Sequence, residues 1–173
     1  EPSKLADNIC ANLPISIAER QKRQAVLRLQ NIPWPAQPDL SIKLLNLNSP
    51  AKGTFISLAA EFEGGRACFT SLGELGKPAE RVADQAINDL LQFLETGAAI
   101  DRYLADQLLL PLSLAPGVSY LHTETITQHL LTNAHIIQMF LNVKISIEGE
   151  LNQPGWVTIK PEDGHTNSPD PAP

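Results

Sequence analysis

Apolar residues along this chain follow two rhythms, one of period 3.6 and one of period two. Ala79, Val82, Ala83, Ala86, Ile87, Leu90, Leu91 and Leu94 recur at i, i+3, i+4 spacing between Pro78 and Gly97. That pattern predicts an amphipathic helix on a core, started by proline and stopped by glycine in the left-handed region. Pro14 to Gln30 reads as an earlier helix, with Ile17, Val26 and Leu29 inward and Glu19, Arg20, Lys22, Arg23 and Arg28 in solvent. Its basic side chains suit phosphate, but with no aromatic interleaved the plainer reading is a solvated face. Pro33, Pro35 and Pro38 end it and form a connector.

Ile42, Leu44 and Leu47 make a short strand-like run, and Ile56, Leu58, Ala60 and Phe62 alternate with Ser57, Ala59 and Glu61. Glu63-Gly64-Gly65 predicts a hairpin turn returning through Ala67, Cys68 and Phe69, where Cys68 reads as a buried structural thiol. Asp101 is a good N-cap for a further helix through Leu114, which Pro111 should kink or end early. A strand at Val118 to Thr123, a helix capped by Thr125 or Thr127 and running to Leu141, and a closing hairpin follow. The hairpin pairs Val143, Ile145 and Ile147 with Trp156 to Ile159 across Gln153-Pro154-Gly155. From Pro161 the chain is polar and proline-rich without periodicity, and reads as a disordered tail. Mixed strands and helices predict an α+β fold.

Composition narrows the partners. The 173 residues carry 13 Lys+Arg against 19 Asp+Glu, a net charge of −6, so any nucleic-acid contact must be local. Two cysteines cannot build a disulfide framework; with no signal-peptide layout and no bilayer-length apolar run, the expected setting is cytoplasmic, without membrane. The only methionine is Met139 and the chain begins at Glu1, so a fragment or processed piece is expected.

Candidate chemistry is sparse. Gly73-Glu74-Leu75-Gly76-Lys77 lacks the spacing and hydroxyl of a phosphate loop, and no cysteine or histidine pair has zinc-ligand spacing. His129 and His135 fall on different faces of their helix, while His122 stands alone and His165 lies in the tail. His129 sits in a first helical turn, with Thr132 and Asn133 at i+3 and i+4. A helix start favours the neutral imidazole and attracts anions, and a neutral imidazole is what attack on phosphorus requires. The plainer alternative is a histidine making a local hydrogen bond. Tyr103, Asp106 and Gln107, beside Arg102, could stack on and hydrogen-bond a base, or belong to an ordinary amphipathic helix.

Three stretches, in order, resemble the RNA 3'-terminal phosphate cyclase family. Gly73 to Glu80 is similar to the segment GERGKPAE, Asp101 to Leu108 to EYLADQL, and His129-Leu130-Leu131-Thr132-Asn133 to the HLLTN motif holding the family's catalytic histidine. The resemblance covers nearly all of the chain except the tail. It implies ATP-dependent conversion of RNA 3'-phosphate ends to 2',3'-cyclic phosphodiesters through a covalent histidine–AMP. It makes His129 the nucleophile, and Tyr103, Leu104, Ala105, Asp106 and Gln107 the adenylate-binding stretch. ATP is the substrate that supplies AMP, Mg2+ or Mn2+ accompanies it, and no protein metal ligand is expected.

The family's architecture implies an inserted domain of thioredoxin-like topology at residues 1–97. A unit of two helices on a four-stranded sheet would follow at 98–160, with the tail at 161–173. The family enzyme is about twice as long, so the partner of this piece would be the missing N-terminal half of the same enzyme. Leu75 stands where the family segment has arginine. Two other readings are a non-catalytic cyclase-like interaction protein of ribosome biogenesis, which His129 disfavours, and an inert α+β module.

Overall fold

A computed structural model describes residues 2, 4–11, 13–34, 37–46, 48, 50–62 and 65–162, with the backbone path alone for the first strand. The chain divides into two compact units, Glu1–Gly97 and Ala98–Pro173. The described residues form four helices and two small sheets, an α+β arrangement. None of those helices is long and apolar enough to cross a membrane.

The first unit runs β1 (Lys4–Ala11), α1 (Ile15–Gln30), β2 (Asp39–Leu45), β3 (Thr54–Phe62), β4 (Gly65–Leu72) and α2 (Ala79–Thr96). Its sheet has the order β2-β1-β3-β4, with β1 parallel to β2 and antiparallel to β3. Period two decides what β3 buries: Thr54, Ile56, Leu58 and Ala60 point inward and their neighbours are half-exposed. Helix α2 closes this core with Ala79, Val82, Ala83, Ala86, Ile87, Leu90 and Phe93, whose ring meets those of Phe62 and Phe69 at 6.0 and 5.4 Å. Gly97 ends it at φ 63°, a left-handed conformation that glycine adopts without a Cβ penalty.

Three readings of this unit change. Strand β1, unmarked in the sequence reading, is a central strand of the sheet. Helix α1 buries Ala18, Gln21, Ala25 and Leu29, not an Ile17–Val26 face, because two alanines let it approach closely. Cys68 is exposed, its Sγ 3.1 Å from Ser57 Oγ, since Ala67 and Phe69 point inward and alternation turns the residue between them out. Positions 63 and 64 of the expected turn lie outside the described residues, although Phe62 pairs with Gly65.

Helices α1 and α2 are joined by polar contacts spaced along both. Arg20 Nε and Nη2 donate to Glu80 Oε1 and Oε2 at 2.8 and 2.7 Å, Gln24 and Arg28 reach Asp84, and Arg28 also reaches Asn88.

The second unit runs α3 (Arg102–Leu114), β5 (Ser119–Thr123), α4 (Gln128–Phe140), β6 (Val143–Glu148) and β7 (Gly155–Pro161), with antiparallel sheet order β5-β7-β6. Among the described residues three strands form where four were expected. The fourth position is held by one parallel bridge, Ile100 to Thr123, because capping at Asp101 turns the chain into α3 one residue later. Ala105, Leu109, Ile126, Leu130, Ala134, Val143, Ile145, Val157 and Ile159 make the core. Pro111 does not end α3, which continues to Leu114. Only one turn remains after it, so the helix gives up a single hydrogen bond close to its own end. Strand β7 extends to Pro161, one residue into the expected tail; residues 163–173 lie outside the described residues.

Two outcomes follow from this packing. A Cβ at Gly155 would fall on the Ile126 side chain and the Glu148 carbonyl, so Gly155→Ala should destabilise the β6–β7 pairing by about 1–3 kcal/mol. Hydrogen exchange of the β6 and β7 amides would reveal this as lost protection; unchanged protection would contradict the packing. Separately, the hydrogen bond from Arg20 holds the Glu80 carboxyl below the usual carboxylate range. A lowered folded pKa contributes stability above the ordinary value and loses it as pH falls through the lowered one. Urea midpoints should therefore decline less steeply below pH ~4.3 in Glu80→Gln than in the parent chain.

Candidate active site

Two capped helix starts build the site. Asp101 Oδ1 accepts from the backbone N–H of Tyr103 and of Leu104, each at 2.8 Å, and fixes the entry of α3. Thr127 Oγ1 accepts from Leu130 N at 3.0 Å and does the same for α4, so Thr127 rather than Thr125 is the cap. Helix packing then brings Asp106, one turn into α3, against His129 at the start of α4.

The contact is specific. His129 Nδ1 lies 2.8 Å from Asp106 Oδ2, and Asn133 Nδ2 donates to Asp106 Oδ1 at 2.6 Å. Asp106 is thus held from both sides, with 18% of its side chain exposed against 74% for His129. A carboxylate on Nδ1 favours the tautomer protonated there and leaves Nε2 with its lone pair. Orientation and tautomer are set by one group.

His129, Asp106, Tyr103, Gln107, Arg102 and Thr127 line a cavity of about 350 Å³. Arg102 is anchored beneath it by Glu124, 3% exposed, whose Oε1 accepts from Arg102 Nε at 2.9 Å and from its backbone N at 3.1 Å. Tyr103 is largely exposed, its ring available to a flat ligand. Ala105 is fully buried in the core and Leu104 is half-buried; neither lines the cavity. Thr132 turns back to the Gln128 carbonyl at 2.8 Å, whereas Asn133 belongs to the cluster. His122 stacks on Trp156 with centroids 4.4 Å apart, and His135 is exposed outside the cavity.

The sequence reading set Asn133 one turn from His129 but did not join Asp106 to them, because Asp106 and His129 are 23 residues apart on separate helices. Glu124 was missed altogether; a glutamate between threonines carries no sign of burial.

Among the described residues no group of three His, Cys, Asp or Glu gathers in a way that could hold a metal ion. The cavity's polar groups suit an anionic, flat-ringed ligand: an imidazole, an arginine at the wall and an aromatic ring at the edge.

The tautomer is directly measurable. Long-range proton–nitrogen NMR should find His129 protonated on Nδ1 in the neutral form. In Asp106→Ala the bias should fall toward the tautomer mixture of free imidazole; an unchanged pattern would remove Asp106 from this role.

Comparison with known proteins agrees with the motifs. Residues 8–95 match the family described as RNA 3'-terminal phosphate cyclase (RTC), insert domain. The chain is 39% identical over 145 residues to the RNA 3'-terminal phosphate cyclase of Ectopseudomonas mendocina (strain ymp), an alignment covering 83% of this chain and 40% of that protein. It is 36% identical over 164 residues to the Desulfurococcus amylolyticus protein of the same name, covering 87% and 43%. For Methanopyrus kandleri the identity is 34% over 158 residues, covering 88% and 44%. The chain thus spans about two fifths of the length of these curated relatives. Through its profile match and these identities, it belongs to the RNA 3'-terminal phosphate cyclase family.

Proposed function

We propose that this chain carries the nucleophile of an ATP-dependent RNA 3'-phosphate cyclase, with His129 forming a covalent histidine–AMP. The observation that carries the proposal is the His129 Nδ1–Asp106 Oδ2 contact of 2.8 Å at the wall of the Tyr103–Gln107 cavity. With Nδ1 held by Asp106, Nε2 attacks the α-phosphorus of ATP. The N–P bond forms as the bond to the bridging oxygen breaks, and pyrophosphate departs. The imidazolium so generated keeps its Nδ1 proton against the Asp106 carboxylate, which offsets the new charge. Asn133 holds that carboxylate in place.

An oxygen of the RNA 3'-phosphate then attacks the phosphorus of the adduct, breaking the N–P bond and forming a mixed anhydride. The adjacent 2'-hydroxyl attacks the 3'-phosphorus, loses its proton and expels AMP. Tyr103 stacks the adenine, Gln107 offers its amide to the base or ribose, and Arg102 adds positive charge at the cavity wall. Asp106, first read as a nucleotide contact, is here a positioning residue. Mg2+ or Mn2+ would accompany the triphosphate as part of the substrate and offset its charge.

The first unit, residues 1–97, is read as the cyclase insert. Its strand order, with β3 antiparallel to its neighbours, supports a thioredoxin-like path; a β2–β3 connection without a helix leaves both helices on one face. Residues 98–160 are read as part of the catalytic domain. The rest of the enzyme, of which this chain spans two fifths, would supply the remaining contacts to ATP and RNA.

Intact mass after incubation with ATP and Mg2+ or Mn2+, with the remaining portion of a family member supplied, tests this reading. An AMP adduct on this chain, lost in His129→Ala, is the expected result. Asp106→Ala should slow adduct formation on the order of 100-fold without abolishing it. An adduct that persists in His129→Ala would sink the assignment.

A further inference from the structure

The loop Gly73–Lys77 takes no part in the chemistry above, yet it walls a second cavity of about 380 Å³ within the first unit. Helix α1 contributes Ile17 and Gln21, α2 contributes Ala79 and Val82, and Lys52 and Thr54 come from the entry to β3.

Gln21 is fully buried there. Its Oε1 accepts from Thr54 Oγ1 at 3.0 Å, but its Nε2, with two N–H donors, is buried without a partner among the described residues. Leaving such a donor unanswered is costly, and an aliphatic residue would pack α1 on the sheet without that cost. No acceptor among the described residues meets this amide, which leaves it for one supplied by a ligand.

The surroundings specify its charge. The first turns of α1 and α2 each give a residue to the lining, Ile17 and Ala79, and neither helix has a side-chain cap, prolines standing in both capping positions, so two positive helix ends lie near the cavity. Lys52 is exposed on the lining and makes no hydrogen bond or ion pair among the described residues. The Lys77 ammonium is committed to Gln85 Oε1 at 2.7 Å, Leu72 O at 3.1 Å and Ser71 Oγ at 3.4 Å. Glu74 is the one acidic residue of the lining. Most of the remaining wall is apolar, which suits a hydrocarbon body better than a bare inorganic anion.

We infer that this cavity binds a small carboxylate on an apolar body, its carboxylate accepting from Gln21 Nε2 and facing Lys52. The site is independent of the His129 chemistry.

Amide NMR of the nitrogen-15-labelled chain, titrated with sodium hexanoate, hexanol and inorganic phosphate in turn, tests it. Hexanoate should give saturable shifts of the Gln21 side-chain amide and of the Gly73 and Val82 backbone amides, with a midpoint on the order of 1 mM or tighter. Hexanol and phosphate should each bind about tenfold more weakly or worse. Gln21→Leu, close in volume, should weaken hexanoate about tenfold, and Lys52→Glu, on the exposed rim, should weaken it several-fold without disturbing the fold. His129→Ala should leave the titration unchanged. Absence of saturable shifts, equal binding of hexanol, preference for phosphate, or indifference to both Gln21→Leu and Lys52→Glu would each overturn the inference.

Discussion

A carboxylate taken almost wholly out of water must be met by a cation, and in the second unit that demand sets the geometry of the site. Glu124 follows β5 directly, and its Oε1 is met by the first residue of α3 through both backbone and guanidinium. The end of a strand and the beginning of a helix are therefore pinned to each other. The same segment is secured further on, where Ile126 N donates to Gln153 O and Asn152 N to Ile126 O, just before Thr127 opens α4. Both helices that carry the cluster thus start from one short, heavily bonded stretch. Removing Arg102 would leave a buried charge unanswered, so its part in the fold precedes any part in chemistry.

The two units treat their helix ends in opposite ways. In the second, Asp101 and Thr127 fill the cap positions with side-chain oxygens, so each helix enters at a fixed angle and its first-turn donors are answered internally. In the first, prolines stand in both positions and nothing is capped by a side chain. Rigidity is put where the His129–Asp106–Asn133 cluster is assembled. Elsewhere the helices are aligned by lateral contacts, the Arg20–Glu80 and Arg28–Asp84 pairs, which tolerate small shifts.

Legibility in the sequence tracked whether the cause was local. Helix α2 and strand β3 announce themselves because burial imposes a period on consecutive residues. Strand β1 does not: Asp7 and Asn8 lie in its middle, residues that strands disfavour, and its pairing comes from segments far along the chain. Cys68 was misjudged by one step of parity, though the alternation that exposes it was already visible in Ala67 and Phe69. Gln21 among Arg20, Lys22 and Arg23 reads as one more solvated residue; only the packed helix shows it facing inward. The site was legible as separate residues and not as a constellation, since the bond between Asp106 and His129 exists only once two helices have met.

Because β1 is bonded on both sides, it is also what keeps the first sheet from having interior edges. Its backbone pairs Lys4 with Asp39 on one side and with Glu61 on the other. Without it, β2 would be a lone strand and the β3–β4 hairpin would present a long row of unmet N–H and C=O groups. Such a row templates pairing with other chains. The strand with the weakest sequence signal is therefore the unit's safeguard against aggregation, and its integrity bears on solubility before it bears on any chemistry.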